Sequence, residues 1–300
     1  MTGPVHIIGA SGRSGLALCR ALLAAGVAVV PVVRDPTKWA ATGIAVPPRI
    51  ADLADPTALA AALADATRIV SCAHARHAGA ILAASPPAAR FVFLGSTRKF
   101  TRWPDEHGNG VLAGEAAFLA SGRSGVMLHP TMIYGAAGEN NVQRLAALLR
   151  RLPVVPLPGG GGALVQPIHQ SDVTRAVVTA LDHAWDGPAT LVIAGPAPLP
   201  YAAFVRLVAA AAGLKRPRIL AVPAAPLIAI ATALRFLPVS PAELRRLLED
   251  KAFDTGPMLH VLGVRPIPLA EGLARTFRLS QEPVGDHEVK HRQRQHEIDA

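Results

Sequence analysis

Val5-His6-Ile7-Ile8-Gly9-Ala10-Ser11-Gly12-Arg13-Ser14-Gly15 sets the architecture expected of the whole chain. A short β-branched run enters a turn with glycines at positions 9, 12 and 15. An Ala/Leu-rich helical stretch, Leu16 to Ala25, follows at once. Strand, tight turn and helix N-terminus together make a phosphate cradle, because free backbone N–H groups and the positive end of the helix dipole meet at one place. A glycine triplet taken by itself is also compatible with a plain flexible turn. Here the strand before it and the helix after it supply the context that a dinucleotide fingerprint requires. Gly9, Gly12 and Gly15, with Ser11, Arg13 and Ser14 between them, are therefore the candidate pyrophosphate contacts.

Val27-Ala28-Val29-Val30-Pro31-Val32-Val33 reads as the second strand and ends in Arg34-Asp35-Pro36. An acidic residue at that strand end binds the ribose 2′-hydroxyl of NAD, whereas an arginine meets the 2′-phosphate of NADP. Arg34 holds the place and Arg13 is a second cation within reach, so NADP is expected. Asp35, one residue on, keeps NAD open, and a solvated loop arginine is the bland reading of Arg34.

Further along, apolar runs alternate with helical patterns in the rhythm of a doubly wound parallel sheet of Rossmann type. Strands are expected at 49–53, 68–72, 91–94 and 126–128, and helices near 56–64, 78–84 and 111–121. Strands this apolar on both faces belong in a buried parallel sheet. The loops at their carboxyl ends bring Asp52 and Leu53, Ala73 and His74, Ser96 and Thr97, and Pro130 to Tyr134 (Ile133 included) to one crevice with the glycine turn. After about residue 150 the pattern changes. A turn at Leu157–Gly162, strands at 164–169 and 190–194, and helices at 172–181, 202–212, 227–237 and 241–251 are expected there. The division is a dinucleotide-binding domain over 1–150, a smaller substrate-side lobe over 151–280 interleaved with the sheet, and a flexible basic tail over 281–300.

Composition bounds the rest. Of 300 residues, 51% are hydrophobic and 17% charged, which argues for a packed core and against disorder. No run of about 18 or more strongly apolar residues occurs; the nearest, Val222 to Leu237, holds Pro223, Pro226 and Arg235. No stable membrane insertion and no secretory signal are expected. Cys19 and Cys72 lie in apolar contexts and read as free thiols of a reducing, cytoplasmic compartment. The formal charge of +9 is scattered, with part of it in Lys290-His291-Arg292-Gln293-Arg294, so nucleic acid is not expected as a partner. A small-molecule substrate is expected, and a protein partner is left open.

The spacing G-x-x-G-x-x-G resembles that of the extended and atypical short-chain dehydrogenase/reductases. His129-Pro130-Thr131-Met132-Ile133-Tyr134-Gly135 resembles the R-P-x-x-I/V-Y-G signature of the NAD-dependent epimerase/dehydratase proteins. Pro158 to Gly162, Gln166 to His169 and Asp172-Val173 resemble their later G-G-G…P-V-H-V-x-D-V block. Ala194-Gly195-Pro196, Tyr201 to Gly213 and Leu248 to Lys251 are similar to the branch that holds the NADPH-carrying accessory subunit of respiratory complex I. The resemblance spans roughly residues 4–279. It implies a Rossmann-type domain, a bound nicotinamide dinucleotide and a substrate pocket in the second lobe.

The chain departs from that family at the chemistry. Active members carry Tyr-x-x-x-Lys on the helix after the fifth strand, where the lysine lowers the tyrosine pKa for proton exchange. The only tyrosines are Tyr134 and Tyr201, and neither has a lysine four residues on. Aligning Glu115 with the family's glutamate places His107 at the tyrosine and Val111 at the lysine. Ser96 and Thr97 stand where the family's substrate-binding hydroxyl stands, and a structural strand cap is the alternative. His107 is a candidate proton donor, against which stands a surface histidine on a polar, mobile loop. His74 and His77 lack further partners at metal-ligand spacing, so no metal is expected. Two readings follow: an NADP(H)-dependent oxidoreductase or sugar-nucleotide/carbonyl-modifying enzyme with unusual groups, or a non-catalytic NADP(H)-binding sensor, assembly factor or structural subunit.

Overall fold

A computed structural model describes residues 3–135, 141–152, 154–233 and 240–279. Its strands are β1 (Val5–Ile8), β2 (Val29–Val33), β3 (Arg49–Ile50), β4 (Arg68–Ser71), β5 (Arg90–Leu94), β6 (Gly125–Pro130) and β7 (Ile133–Tyr134). They continue with β8 (Val154–Pro158), β9 (Leu164–Val165), β10 (Ile168–His169), β11 (Pro188–Ile193), β12 (Leu199–Pro200) and β13 (Arg218–Val222). The helices of the first half are α1 (Arg13–Ala24), α2 (Pro36–Ala40), α3 (Pro56–Leu63), α4 (Ala78–Ala84) and α5 (Glu106–Ala120). Those of the second are α6 (Asn141–Arg151), α7 (Gln170–Asp182), α8 (Tyr201–Ala211), α9 (Ala224–Ala233), α10 (Pro241–Arg246), α11 (Gly256–Leu262) and α12 (Leu269–Leu279).

Seven strands form the main sheet in the order β11-β6-β5-β4-β1-β2-β3, with every neighbouring pair parallel. The chain runs outward from β1 in both directions, so the topological switch falls between β1 and β4, where such sheets bind ligands. Alternate residues of each strand feed opposite layers, as the two-residue period requires. Val5, Ile7, Val70, Val92, Val126 and Leu128 pack with Leu18 and Leu22 of α1 and Val173 and Val177 of α7. Ile8, Ile69, Phe91, Phe93 and Met127 pack on the other side with Leu59, Ile81, Val111 and Phe118 of α3, α4 and α5.

Pro31 inside β2 needs explaining, since proline cannot donate to a ladder. Ala28 and Val32 turn their carbonyls towards β1, and Val33 turns its own towards the β3 side. Pro31 shares the orientation of Val33, and β3 begins pairing only at Val32. Its missing N–H therefore falls where β2 has no outer neighbour.

The second lobe has its own core of Tyr134, Val142, Ala146, Phe204, Val205, Val208, Leu273 and Phe277. Its segments interleave with the main sheet: β11 pairs with β6, and α7 packs on the sheet. Several local expectations need correction. The strand expected over 164–169 is two, β9 and β10, which pair with different partners. Gln166-Pro167 separates them, with the Gln166 side chain donating to the Gly195 carbonyl (2.8 Å) and accepting from Phe253 N–H (2.7 Å). A strand not expected, β8, runs parallel to β13 over Val154–Pro158 and overlaps the start of the turn expected at 157–162, with Pro156 and Pro158 obscuring its pattern. Helix α5 starts at Glu106 instead of Val111, capped by the Asp105 carboxylate accepting from Gly108 N–H at 2.8 Å. Helix α7 starts at Gln170, two residues before the expected 172, and is capped by His169, whose Nδ1 accepts from Ser171 N–H. Helix α10 ends at Arg246, short of Lys251. The basic tail over 281–300, Glu139-Asn140 and the end of the helix expected at 227–237 lie outside the described residues. Among the described residues no helix is long and apolar enough to cross a membrane.

Candidate functional site

The glycine turn is built by close approach. Gly9 has φ +74°, a left-handed conformation that suits glycine, and a Cβ there would stand 3.2 Å from Ala73 N. A Cβ on Gly15 would lie 2.9 Å from Ala10 Cα, so this glycine lets α1 pack onto the turn. Gly12 is the N-cap of α1 in extended conformation. No side chain caps that helix and its first turn holds no acidic residue, which leaves the positive end of the dipole to an anion. The cradle thus fits a dinucleotide pyrophosphate. Ser11 is half-buried in the turn and Arg13 is exposed. Ser14 is partly committed, since its hydroxyl donates to Gln170 Oε1 at 3.0 Å and ties α1 to α7.

At the end of β2, Arg34 is exposed. The Asp35 carboxylate caps α2 by accepting from Thr37 N–H (2.9 Å) and Lys38 N–H (3.1 Å). That capping job explains an acid here without any ribose, and it leaves Arg34 as the residue open to a ligand. Asp52 is exposed and accepts from Ala54 N–H at 2.9 Å, while Leu53 rests on the core beneath α3.

Beyond β4, Ala73 and His74 sit half-buried beside the turn. His74 Nδ1 accepts from Arg76 N–H at 3.1 Å, so in the neutral ring the proton is on Nε2. Among the described residues that buried Nε2 has no partner. The His107 ring meets His74 edge-on, 4.4 Å between centroids at 80°. His107 therefore lies in the first turn of α5 and half-buried, not on a mobile loop. Two glycines of α5 make this fit: a Cβ on Gly110 would stand 2.8 Å from His74 Cε1, and one on Gly114 would stand 2.5 Å from the Ala75 carbonyl carbon. Burial lowers the His74 pKa to about 4, helped by His107, Arg76 and His77. Burial and then Arg98 lower that of His107, with Asp105 opposing. Both rings are neutral near neutral pH.

At the ends of β5 and β6, Ser96 Oγ accepts from Arg98 N–H (3.1 Å) and caps the short turn 97–100. Thr97 Oγ1 donates to the Pro130 carbonyl at 3.2 Å. Both hydroxyls are half-buried and both have structural partners. Beneath them lies a group that spacing does not reveal: Lys99 Nζ pairs with Glu115 Oε2, and His129 Nε2 meets the same oxygen at 2.6 Å. His129 Nδ1 accepts from Ser96 N–H at 3.2 Å, so its proton points at Glu115. Burial, then Lys99, lower the His129 pKa to about 4. This strut fixes the segment that carries Ser96 and Thr97. The only signals for it in the sequence are Glu115, eight residues after His107, and His129 in place of the signature arginine.

Other candidates fall away from the site. Val111, at the lysine position, is 2% exposed and belongs to the core under α5. Tyr134 is fully buried in the second lobe against His169, and Tyr201 opens α8 with its pKa raised to about 12 by burial. Pro130 does not fall away: it closes β6 at the site, where its carbonyl accepts from Thr97 Oγ1, and Ile133 follows it, half-buried in β7 and paired with Ile168. Asp172 bonds Arg175 and Ile267 N–H, and so stitches α7 to the second lobe. Among the described residues no group of three or more His, Cys, Asp or Glu side chains could hold a metal ion.

Comparison with known proteins agrees with this geometry. The family described as NAD(P)H-binding matches residues 9–111. Among curated proteins, none matches the sequence. The structure resembles MoeE5 in complex with UDP-glucose and NAD, with 21% identity, TM-score 0.71, and 93% of this chain and 99% of that one covered. It resembles the NADPH-dependent quinone oxidoreductase QOR2 of Escherichia coli at 18% identity, TM-score 0.73, covering 91% and 99%. It also resembles UDP-glucuronic acid 4-epimerase of Bacillus cereus at 16% identity, TM-score 0.71, covering 92% and 98%. The chain shares the Rossmann-type fold of these structures.

Proposed function

On that fold and an NAD(P)H-binding match over residues 9–111, we propose that the protein binds NADP(H) and exchanges hydride with a small carbonyl or alcohol substrate. The observation that carries the binding is the uncapped amino end of α1 behind Gly9, Gly12 and Gly15. Gly9 to Gly15 hold the pyrophosphate. Arg34, with Arg13, takes the 2′-phosphate. Asp52 and Leu53 flank the adenine, and Ala73, His74, Pro130 and Ile133 border the nicotinamide end. The bound dinucleotide supplies or accepts the hydride. Ser96 and Thr97 orient the substrate oxygen, and His107 exchanges a proton with it. NAD is the weaker alternative cofactor, since Asp35 is committed to its helix cap. The substrate is a small molecule, with no nucleic acid partner, in a cytoplasmic setting.

Arg34→Ala is expected to weaken NADPH binding about ten- to a hundredfold, the scale of a lost charge-assisted contact. NADH affinity should stay within about twofold. Titration of both cofactors by nicotinamide fluorescence checks this, and equal losses would place the 2′-phosphate elsewhere.

The proton role has a definite sign. His107 carries a lowered pKa, so its protonated form is present only below the ordinary histidine value near 6.5. With NADPH and a carbonyl, quinone or flavin acceptor, the rate should fall as pH rises through that lowered pKa. In the reverse direction the neutral ring accepts the proton, and the rate should rise through the same window. His107→Asn should remove this limb and lower the rate about a hundredfold or more. An unchanged profile would make His107 a packing residue.

Val111 in the core at the lysine position favours a second reading, in which the chain holds NADP(H) without turnover as a sensor, assembly factor or subunit with a protein partner. Failure of every acceptor to consume bound NADPH would support it.

A further inference from the structure

We propose that Arg98 and Arg246 form an oxyanion-binding subsite beside His107, which receives a carboxylate or phosphate group of the substrate. The inference rests on reading the start of α5 as the substrate side of the site. Arg98, in the turn after β5, donates through Nε (2.8 Å) and Nη2 to Asp105 Oδ2. Arg246, the last residue of α10, brings its Nη1 to 3.9 Å of that same oxygen, beyond hydrogen-bond reach. The side chains of Arg98, Asp105 and Arg246 are 32%, 28% and 24% exposed, so all three are largely withdrawn from solvent.

The neighbouring charges are committed elsewhere. Glu243 accepts from Arg144 Nη1 (3.2 Å) and from Ser240 N–H (2.7 Å). Glu249 accepts from Thr101 Oγ1 (2.7 Å) and Arg102 N–H (2.6 Å), with Lys251 Nζ 3.9 Å away. Arg76 pairs with Glu106 at 2.7 Å. Two guanidiniums thus share one carboxylate, and among the described residues the Arg246 fork donates no hydrogen bond to protein. A guanidinium presents a planar set of N–H donors matched to an oxyanion, and here that set is held in place with no protein acceptor. Burial, then Arg98, lower the Arg246 pKa, with Glu243, Asp105 and Glu249 opposing. Asp105, the carboxylate the two guanidiniums share, is the N-cap of α5 and stands two residues before His107, which sets the subsite next to the proposed proton-exchange group. The two arginines come from opposite parts of the fold, so an anion bound there bridges the sheet and the second lobe.

The test uses the full chain, with inorganic phosphate as probe followed by ³¹P line broadening, and NADPH affinity measured in parallel. Phosphate should bind the native protein. Arg246→Gln should weaken it about tenfold or more, and Arg246→Lys, which keeps the charge but loses the fork, should fall between. Both variants should keep NADPH affinity within about twofold, and Arg34→Ala should leave phosphate binding unchanged. Absence of phosphate binding, or equal binding by Arg246→Gln and the native chain, overturns the proposal. Loss of phosphate binding in Arg34→Ala overturns it too, because the ion would then occupy the dinucleotide site. Phosphate binding without any NADPH binding would uphold the subsite and overturn the cofactor reading.

Discussion

Gly12→Val is expected to abolish dinucleotide binding while the protein stays folded. Gly12 sits in extended backbone (φ −79°, ψ 166°), which valine adopts without strain. A Cβ there would stand 3.1 Å from the Gly9 carbonyl oxygen, a tight contact relieved by a few tenths of an ångström. The added methyls instead stand at the mouth of the helix N-terminus, between the backbone donors and a pyrophosphate. Loss of those charge-assisted contacts should exceed about a hundredfold in affinity. Titration of NADPH into the variant checks this, with circular dichroism to confirm the fold. Native affinity would mean that the pyrophosphate lies elsewhere.

Gly114→Val is expected to destabilise the fold and disorganise the site together. A Cβ at position 114 meets the Ala75 backbone inside contact distance, and backbone cannot move aside as a side chain can. Helix α5 must then lift from the turn at 75–77, which separates His107 from His74. Overpacking of this kind costs on the order of 3 kcal/mol or more. Ala113→Val, one residue earlier on the exposed face, serves as control and should be near neutral. Thermal unfolding of the pair decides. Equal melting temperatures would show that α5 does not pack backbone-to-backbone here.

What the chain betrays before folding, and what it conceals, follows from the range of each signal. The glycine turn and the apolar strands are local patterns, so the sheet and its binding edge are legible from Val5 to Leu128. The start of α5 is not, because Gly108 and Gly110 read as loop until Asp105 is seen capping the helix. Gly110 also admits the His74 ring, a contact across thirty-odd positions that no window contains. The Lys99–Glu115–His129 strut is hidden for the same reason, since its members come from a turn, a helix and a strand. Tyr134 illustrates the converse. Its place in the loop after β6 pointed to the crevice, but packing turns it into the core of the second lobe. Gln166 and Asp172 likewise belong to a recognisable block, and tertiary hydrogen bonds give them stitching roles that the block does not express.

The most direct measurement is a titration of the purified chain with NADPH and NADH, followed by nicotinamide fluorescence at fixed salt. Saturable binding of one dinucleotide per chain is expected. NADPH should bind about ten- to a hundredfold more tightly than NADH, and the preference should disappear in Arg34→Ala. No saturable binding of either dinucleotide at millimolar concentration would contradict the proposed NADP(H) binding.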